Sequence, residues 1–389
     1  MNAARAVDGR STRAVASSLG LVVAGVALAA CLLPWTDRAP LVAVDAVAGS
    51  AVGGVLAAVA LLAFAGRRHG ALDRRPGGVV AGLAALALVA VGLLRLLTPA
   101  LGGGTAPTIE QVAVGPVPLY GLPLATLAGL LAGSLALADV LGLPDAAVVA
   151  KLRATTAAAG IGLVAFVAST AVALLPALAA RPYGTTVAVA ALTVGSGLGL
   201  ALFAFGYVRY RGLPLEYVDV RWPDRWAVAA GLGGLVLLFV AAAAVSLGFE
   251  RLGLATAESS IEELATRFED PEFLLVLVPL SFLVIGPGEE LVYRNVVQKY
   301  LYEAFSRRTA VVVASVVFGA VHFQQYADPN PVATLSTLFL VFVLSLVLGY
   351  TYYRTENLLV PIFVHGAFNA IQFALLYARL TADLPVAGA

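Results

Sequence analysis

Apolar runs of about twenty residues follow one another along most of this chain, each long enough to cross a hydrocarbon layer as a helix. The run 155–179, for example, carries no charge over its whole length. Backbone at that depth must satisfy its own hydrogen bonds, so the fold class is all-α and the chain is a polytopic membrane protein. Runs read at 14–35, 44–65, 77–97, 119–143, 155–179, 185–207, 226–249, 273–305, 310–323, 331–353 and 358–380. They amount to about eleven transmembrane helices, with 310–323 the shortest. Composition agrees: 60% of the 389 residues are hydrophobic and 12% charged, about half the charged fraction of soluble domains.

Charge between the runs orients them. Arg67, Arg68, Arg74 and Arg75 crowd one connection, Lys151 and Arg153 mark the next on that side, then Arg209, Arg211, Arg221 and Arg225, then Arg307 and Arg308. The connections between these are neutral or acidic, as at 102–116 and 250–272, or carry a lone arginine such as Arg181. The positive-inside rule then places the protein as a multi-pass chain in the cell membrane, N-terminus cytoplasmic and C-terminus external. A net charge of +1 says nothing about nucleic acid, and no stretch concentrates Lys and Arg enough to point to a nucleic-acid partner. The single cysteine, Cys31, excludes an internal disulfide and any cysteine-based metal cluster. Leu28-Ala29-Ala30-Cys31 has the look of a lipoprotein cleavage site, but the apolar stretch continues to Trp35, which favours a spanning helix with Cys31 a small buried residue.

The basic linker 207–226, with Pro214, Pro223, Trp222 and Trp226, sits at the boundary between two halves, 1–200 and 201–389. In the first half Arg95 and Asp139 lie near span ends, where they can snorkel to the interface. In the second half polar groups concentrate at depth. Glu289 and Glu290 follow the charge-free run 273–285, and a carboxylate in hydrocarbon costs roughly 2.5 kcal/mol or more without compensation. Arg294, four residues after Glu290, lies on the same helical face in the favourable acid-first order, giving a structural ion pair. Glu289 points about 100° away and is left for something else. Two of the three histidines lie on the following spans: His322, one turn after Phe318, and His365, one turn before Asn369. Small residues flank both, Gly319 and Ala320 beside His322 and Gly366 and Ala367 beside His365, so close helix approach is open to them. His69 sits in a basic loop and reads as solvated, while Tyr293, Tyr300 and Tyr302 read as helix-face and interfacial aromatics.

In order along the chain, Glu289-Glu290-x-x-x-Arg294, Phe318-x-x-x-His322 and His365-x-x-x-Asn369 resemble the CPBP group of intramembrane proteases, which includes the CAAX prenyl endopeptidases and the bacteriocin-processing and self-immunity proteins. The resemblance covers about residues 200–380. It implies an intramembrane protease helix bundle, preceded here by an extra N-terminal transmembrane bundle. It also implies an endopeptidase in which Glu289 and His322 activate a water while His365 and Asn369 stabilise the oxyanion, in a cavity open toward the cytoplasm. The partner is then the lipid bilayer together with a membrane-associated protein or peptide substrate, prenylated if the chain is of CAAX type. Glu289, His322 and His365 would also make a two-His, one-carboxylate set suited to Zn2+, and a metal-free mechanism uses the same residues. Two other classes fit the same residues: a proton-coupled transporter, since Glu and His at depth form proton relays, and a catalytically idle immunity or binding protein of the same fold.

Overall fold

A computed structural model describes residues 15–32, 44–97, 111–114, 117–267, 270–328 and 330–382. The chain divides into two compact units, residues 1–152 and 153–389. In the first, α1 (Val15–Leu32), α2 (Val44–Arg68), α3 (Arg74–Leu97) and α4 (Gly121–Val140) pack on one another, and a hairpin of β1 (Gln111–Val114) and β2 (Val117–Tyr120) precedes α4. The core there is built largely from alanines such as Ala24, Ala60, Ala81, Ala85 and Ala136, with the larger Phe64 and Leu135 buried among them. Gly20 lies under the Phe64 ring, where any side chain would collide. Lipid offers no hydrophobic drive for helices to associate, so close packing of small residues holds such a bundle together.

α5 (Asp145–Ala180) contains the division between the units, and α6 (Thr185–Tyr210), α7 (Arg225–Arg251), α8 (Ser260–Arg267), α9 (Phe273–Leu301), α10 (Arg307–Val321), α11 (Pro331–Thr355) and α12 (Leu359–Thr381) follow. Ten helices among the described residues are long and apolar enough to cross a membrane, and an eleventh, Leu124–Val140 within α4, is apolar but shorter. The shortest sequence run, 310–323, extends to Arg307–Tyr326 because a short 3-10 turn, His322–Tyr326, continues α10. Lys151 and Arg153, read as loop residues, lie inside α5. The second unit begins at residue 153 and not at 201, since Ala158 and Ala165 of α5 share a core with Leu200 and Ala204 of α6 and with Val292, Val296 and Phe318. Helices assigned by sequence to the N-terminal bundle are thus part of the wall around α9. Asp139 also differs from expectation. It is only 3% exposed, held by Arg67 and Arg74 at 3.7 and 3.3 Å, so it is neutralised in place and does not reach outward. The side chain of Arg95 lies outside the described residues.

α9 is the central element of the second unit and is not a regular helix. A single α turn, Gly286–Glu290, sits between two wider π-helical stretches, Ser281–Ile285 and Leu291–Gln298. Pro279 and Pro287 each remove an amide from the ladder, and the wider turns offer the freed carbonyls other donors. The glycines around Pro287 bring α9 and α12 into backbone contact. A Cβ on Gly286 would stand 3.0 Å from the Ile362 carbonyl oxygen, and one on Gly366 would stand 2.9 Å from that of Ser281.

Contacts among the connections sort the second unit into two ends. At one, the loop after α6 is stitched across the ends of α9, α11 and α12: Lys299 donates to the Tyr217 carbonyl and to Asp219, Leu358 N–H donates to the Asp219 carbonyl at 2.7 Å, and Arg307 pairs with Glu356. Burial in this layer pushes the Tyr217 phenol well above its usual range. At the other end α8 pairs through Glu262 with Arg379 near the end of α12, and Ala257 N–H donates to Thr337 near the start of α11. The first end is the more basic, with Arg209, Arg211, Arg221, Arg225, Arg307, Arg308 and Arg354 against Glu216, Asp219, Asp224, Glu303 and Glu356, while the second is the more acidic, with Glu250, Glu258, Glu262, Glu263, Asp270, Glu272 and Asp328 against Arg251, Arg267 and Arg379. The charge alternation read from sequence therefore coincides with the two ends of a real bundle.

Candidate active site

Three helices meet at Glu289. Its Oε2 lies 3.7 Å from His322 Nε2 and 3.9 Å from His365 Nε2, and that oxygen is buried without a hydrogen-bond partner in the protein. The expected grouping of one acid and two imidazoles is present. The glycine contacts between α9 and α12 together with the π turns of α9 bring Glu289 level with His365. His322 reaches the group because α10 ends there: it is the C-cap residue, so its ring projects from the last turn. Side-chain exposures of 22% for Glu289, 16% for His322 and 9% for His365 describe a cleft that is narrow but not closed.

The far side of each ring fixes what the near side offers. His322 Nδ1 lies 2.7 Å from the Phe318 carbonyl oxygen, which can only accept, so Nδ1 carries the proton. His365 Nδ1 lies 2.9 Å from Glu290 Oε1. The Glu290 carboxylate also accepts from Arg294 Nε at 2.8 Å through Oε2, so it too takes a proton donated by Nδ1. In their neutral forms both imidazoles therefore turn an Nε2 lone pair toward Glu289. Three acceptors converge, an arrangement that suits a water molecule with two O–H groups to donate and a proton to give up.

Glu290 and Arg294 form the expected ion pair, both fully buried. Sequence reasoning treated this pair as a staple and missed that Glu290 also orients His365. Arg294 is further held by Ser345 Oγ at 3.0 Å and lies 4.8 Å over the Phe318 ring. Phe318 in turn packs 4.4 Å from the His322 ring, 6.1 Å from His365 and edge-on to Tyr293 at 5.1 Å, so one aromatic ring buttresses both imidazoles and covers the cation. Tyr293, read as a helix-face aromatic, is 3% exposed and belongs to this support. The available signal for Ser345 was a hydroxyl inside the apolar stretch 338–349. Asn369 is half-buried on α12, one turn beyond His365.

The donor chemistry of Glu289, His322 and His365 suits zinc, and each imidazole has the outer hydrogen bond that metal-bound histidines use. Among the described residues, however, no three His, Cys, Asp or Glu side chains are arranged to hold a metal ion together.

Residues 271–371 match a family model described as Rce1-like, type II CAAX prenyl endopeptidase Rce1-like. Over 148 residues the chain is 28% identical to a protein of Bacillus subtilis (strain 168) named "Putative membrane peptidase YdiL", a match covering 37% of this chain and 52% of that protein. The chain thus spans about half the length of the curated relative it matches. No solved structure matches it. All three motifs, with Glu289, His322, His365 and Asn369, fall inside the matched segment, residues 271–371, which is similar to the Rce1-like CAAX endopeptidases.

Proposed function

We propose that this protein is an intramembrane endopeptidase that hydrolyses a peptide bond of a membrane-associated protein or peptide. The observation that carries the reading is the unpartnered Glu289 oxygen facing two Nε2 lone pairs at 3.7 and 3.9 Å. Water held there gives a proton to Glu289, with His322 Nε2 accepting its second O–H, and the oxygen attacks the scissile carbonyl. Glu289 returns the proton to the leaving amine. On the carbonyl side Asn369 supplies N–H groups for the oxyanion. His365 can donate from Nε2 only as an imidazolium, because its Nδ1 proton is committed to Glu290, and the Glu290 carboxylate is what makes that cation tenable in a buried site. The family match supports a peptidase in general, while the substrate, including whether it is prenylated, is left to experiment.

The test compares membrane proteins and released peptides from cells carrying wild type or Glu289→Ala by terminus-labelling mass spectrometry. Termini present with wild type and absent with the variant are expected and would name the substrate; identical termini at equal expression would end the peptidase reading. Chelation is expected to leave the rate unchanged. Loss on chelation, restored by Zn2+, would replace the metal-free step with a metal-assisted one at the same residues.

A further inference from the structure

Charged and phenolic side chains that the proposed reaction does not use gather at the basic end of the second unit, around a cavity of about 190 Å3 lined by Asp219, Lys299, Tyr302, Arg307, Tyr352 and Glu356. Several elements meet there. Lys299 lies in the last turn of α9 and Tyr302 follows it, Arg307 opens α10, Tyr352 and Glu356 come from the end of α11, and Asp219 belongs to the loop between α6 and α7. Lys299 is ten residues beyond Glu289 on α9, roughly 15 Å at the rise of an α-helix, so the cavity is separate from the candidate active site.

Hydrogen bonding inside the cavity leaves particular atoms over. Lys299 Nζ donates to the Tyr217 carbonyl at 2.7 Å and to Asp219 Oδ2 at 3.0 Å, which uses two of its three N–H groups. Tyr352 donates to the same Oδ2 at 2.6 Å, so Asp219 accepts both bonds through one oxygen and Oδ1 takes neither. At the mouth Arg307 Nη1 pairs with Glu356 Oε1, and both side chains are more than half exposed. Among the described residues, each ion pair thus keeps a donor and an acceptor unused. Glu356 gives a second indication. It has φ 46° and ψ 37°, the one positive φ outside glycine among the described residues, at a helix C-terminus where glycine or asparagine is usual. Strain of this kind collects at sites that use the side chain. The surroundings set the depth: Tyr210 at the end of α6 is 88% exposed and Trp222, on the loop that supplies Asp219, is 95% exposed, and such aromatics mark the headgroup layer of a membrane.

We propose that this cavity binds a phosphoethanolamine group, either the zwitterionic headgroup of a bilayer lipid or the same group free in solution. The phosphate accepts from the unused N–H groups of Lys299 and Arg307, the guanidinium being suited to two parallel bonds. The primary ammonium, with three N–H groups of its own, donates to the unused oxygens of Asp219 and Glu356. Two cations and two carboxylates line the cavity, so a purely anionic headgroup leaves the carboxylates without a partner, and a quaternary ammonium has no N–H to give them. Nothing in this site depends on the peptidase reading.

The test titrates the full-length, delipidated protein in detergent with short-chain phosphatidylethanolamine, phosphatidylglycerol and phosphatidylcholine and with soluble glycerophosphoethanolamine, read by native mass spectrometry and by the thermal midpoint. Saturable binding of phosphatidylethanolamine is expected, with the other two lipids at least about tenfold weaker because each forgoes charge-assisted hydrogen bonds. An exposed ion pair contributes little to the fold, so Arg307→Gln and Glu356→Gln should stay folded and each weaken binding about tenfold. Arg308→Gln, an exposed neighbour outside the lining, should leave it unchanged. Glycerophosphoethanolamine binding as tightly as the lipid would support the site with a soluble ligand, and much weaker binding would support it with a lipid. Equal binding of phosphatidylglycerol or phosphatidylcholine, or unchanged binding in both mouth variants, would overturn the proposal. Equal losses in Arg307→Gln and Arg308→Gln would overturn it too, since the binding would then belong to the basic surface at large.

Discussion

The two compact units face the same solvent with different chemistry. In the first, close contacts are made by alanines and glycines, and the charged residue buried there, Asp139, lies near a helix end where two arginines reach it. In the second, Glu290, Arg294, Asn295 and Gln298 are all fully buried along two turns of one helix. Small-residue packing is sufficient to hold helices together in lipid, so buried charge on the scale of the second unit is not needed for assembly alone. It is retained where it orients something. Glu290 fixes His365, Arg294 neutralises Glu290, Ser345 and Phe318 fix Arg294, and the one acid left out of this closed set is Glu289.

That contrast can be broken most sharply at Glu289. Glu289→Gln keeps the shape and removes the base, so cleavage should fall by about 10²- to 10⁴-fold with the thermal midpoint in detergent unchanged; an active variant would take Glu289 out of the reaction. Next in size is Arg294→Ala, which strands a buried carboxylate and should destabilise the second unit by about 3–5 kcal/mol, read as lower yield and earlier thermal unfolding. If it purifies as stably as wild type, the buried polar layer is not what holds α9. Gly366→Ala places a methyl group against the Ser281 carbonyl and should cost about 1–3 kcal/mol while shifting His365 away from Glu289, so kcat should fall more than KM rises; normal kcat with normal stability would mean that the α9–α12 contact does not set the site. The smallest effect belongs to the first unit. Asp139→Asn should cost about 1 kcal/mol or less, since Arg74 is partly solvated, and should leave cleavage alone. A large loss of cleavage there would show that the first unit is coupled to the chemistry.

Periodicity and spacing made much of this visible beforehand. Ten of the eleven apolar runs became helices long enough to cross a membrane, and the run 119–143 holds a shorter one, Leu124–Val140, because the length of an apolar run is a local property that lipid reads directly. The Glu290–Arg294 pair was legible because an i,i+4 relation is decided within one helix. His69 is exposed and Cys31 buried, as their neighbours in sequence suggested. Ser345, Phe318 and Tyr293 were not legible as supports, since each acts across helices, and the membership of α5 and α6 in the second unit was hidden for the same reason.

By itself the sequence determined that this chain lies in a membrane, which connections carry the arginines, and which ionisable residues stand within its apolar runs, because hydropathy and charge act residue by residue. Tertiary structure alone decided that Glu290 holds His365 and that two π turns and a pair of glycines bring Glu289 level with both imidazoles, because those outcomes depend on how far helices slide and approach before their backbones touch.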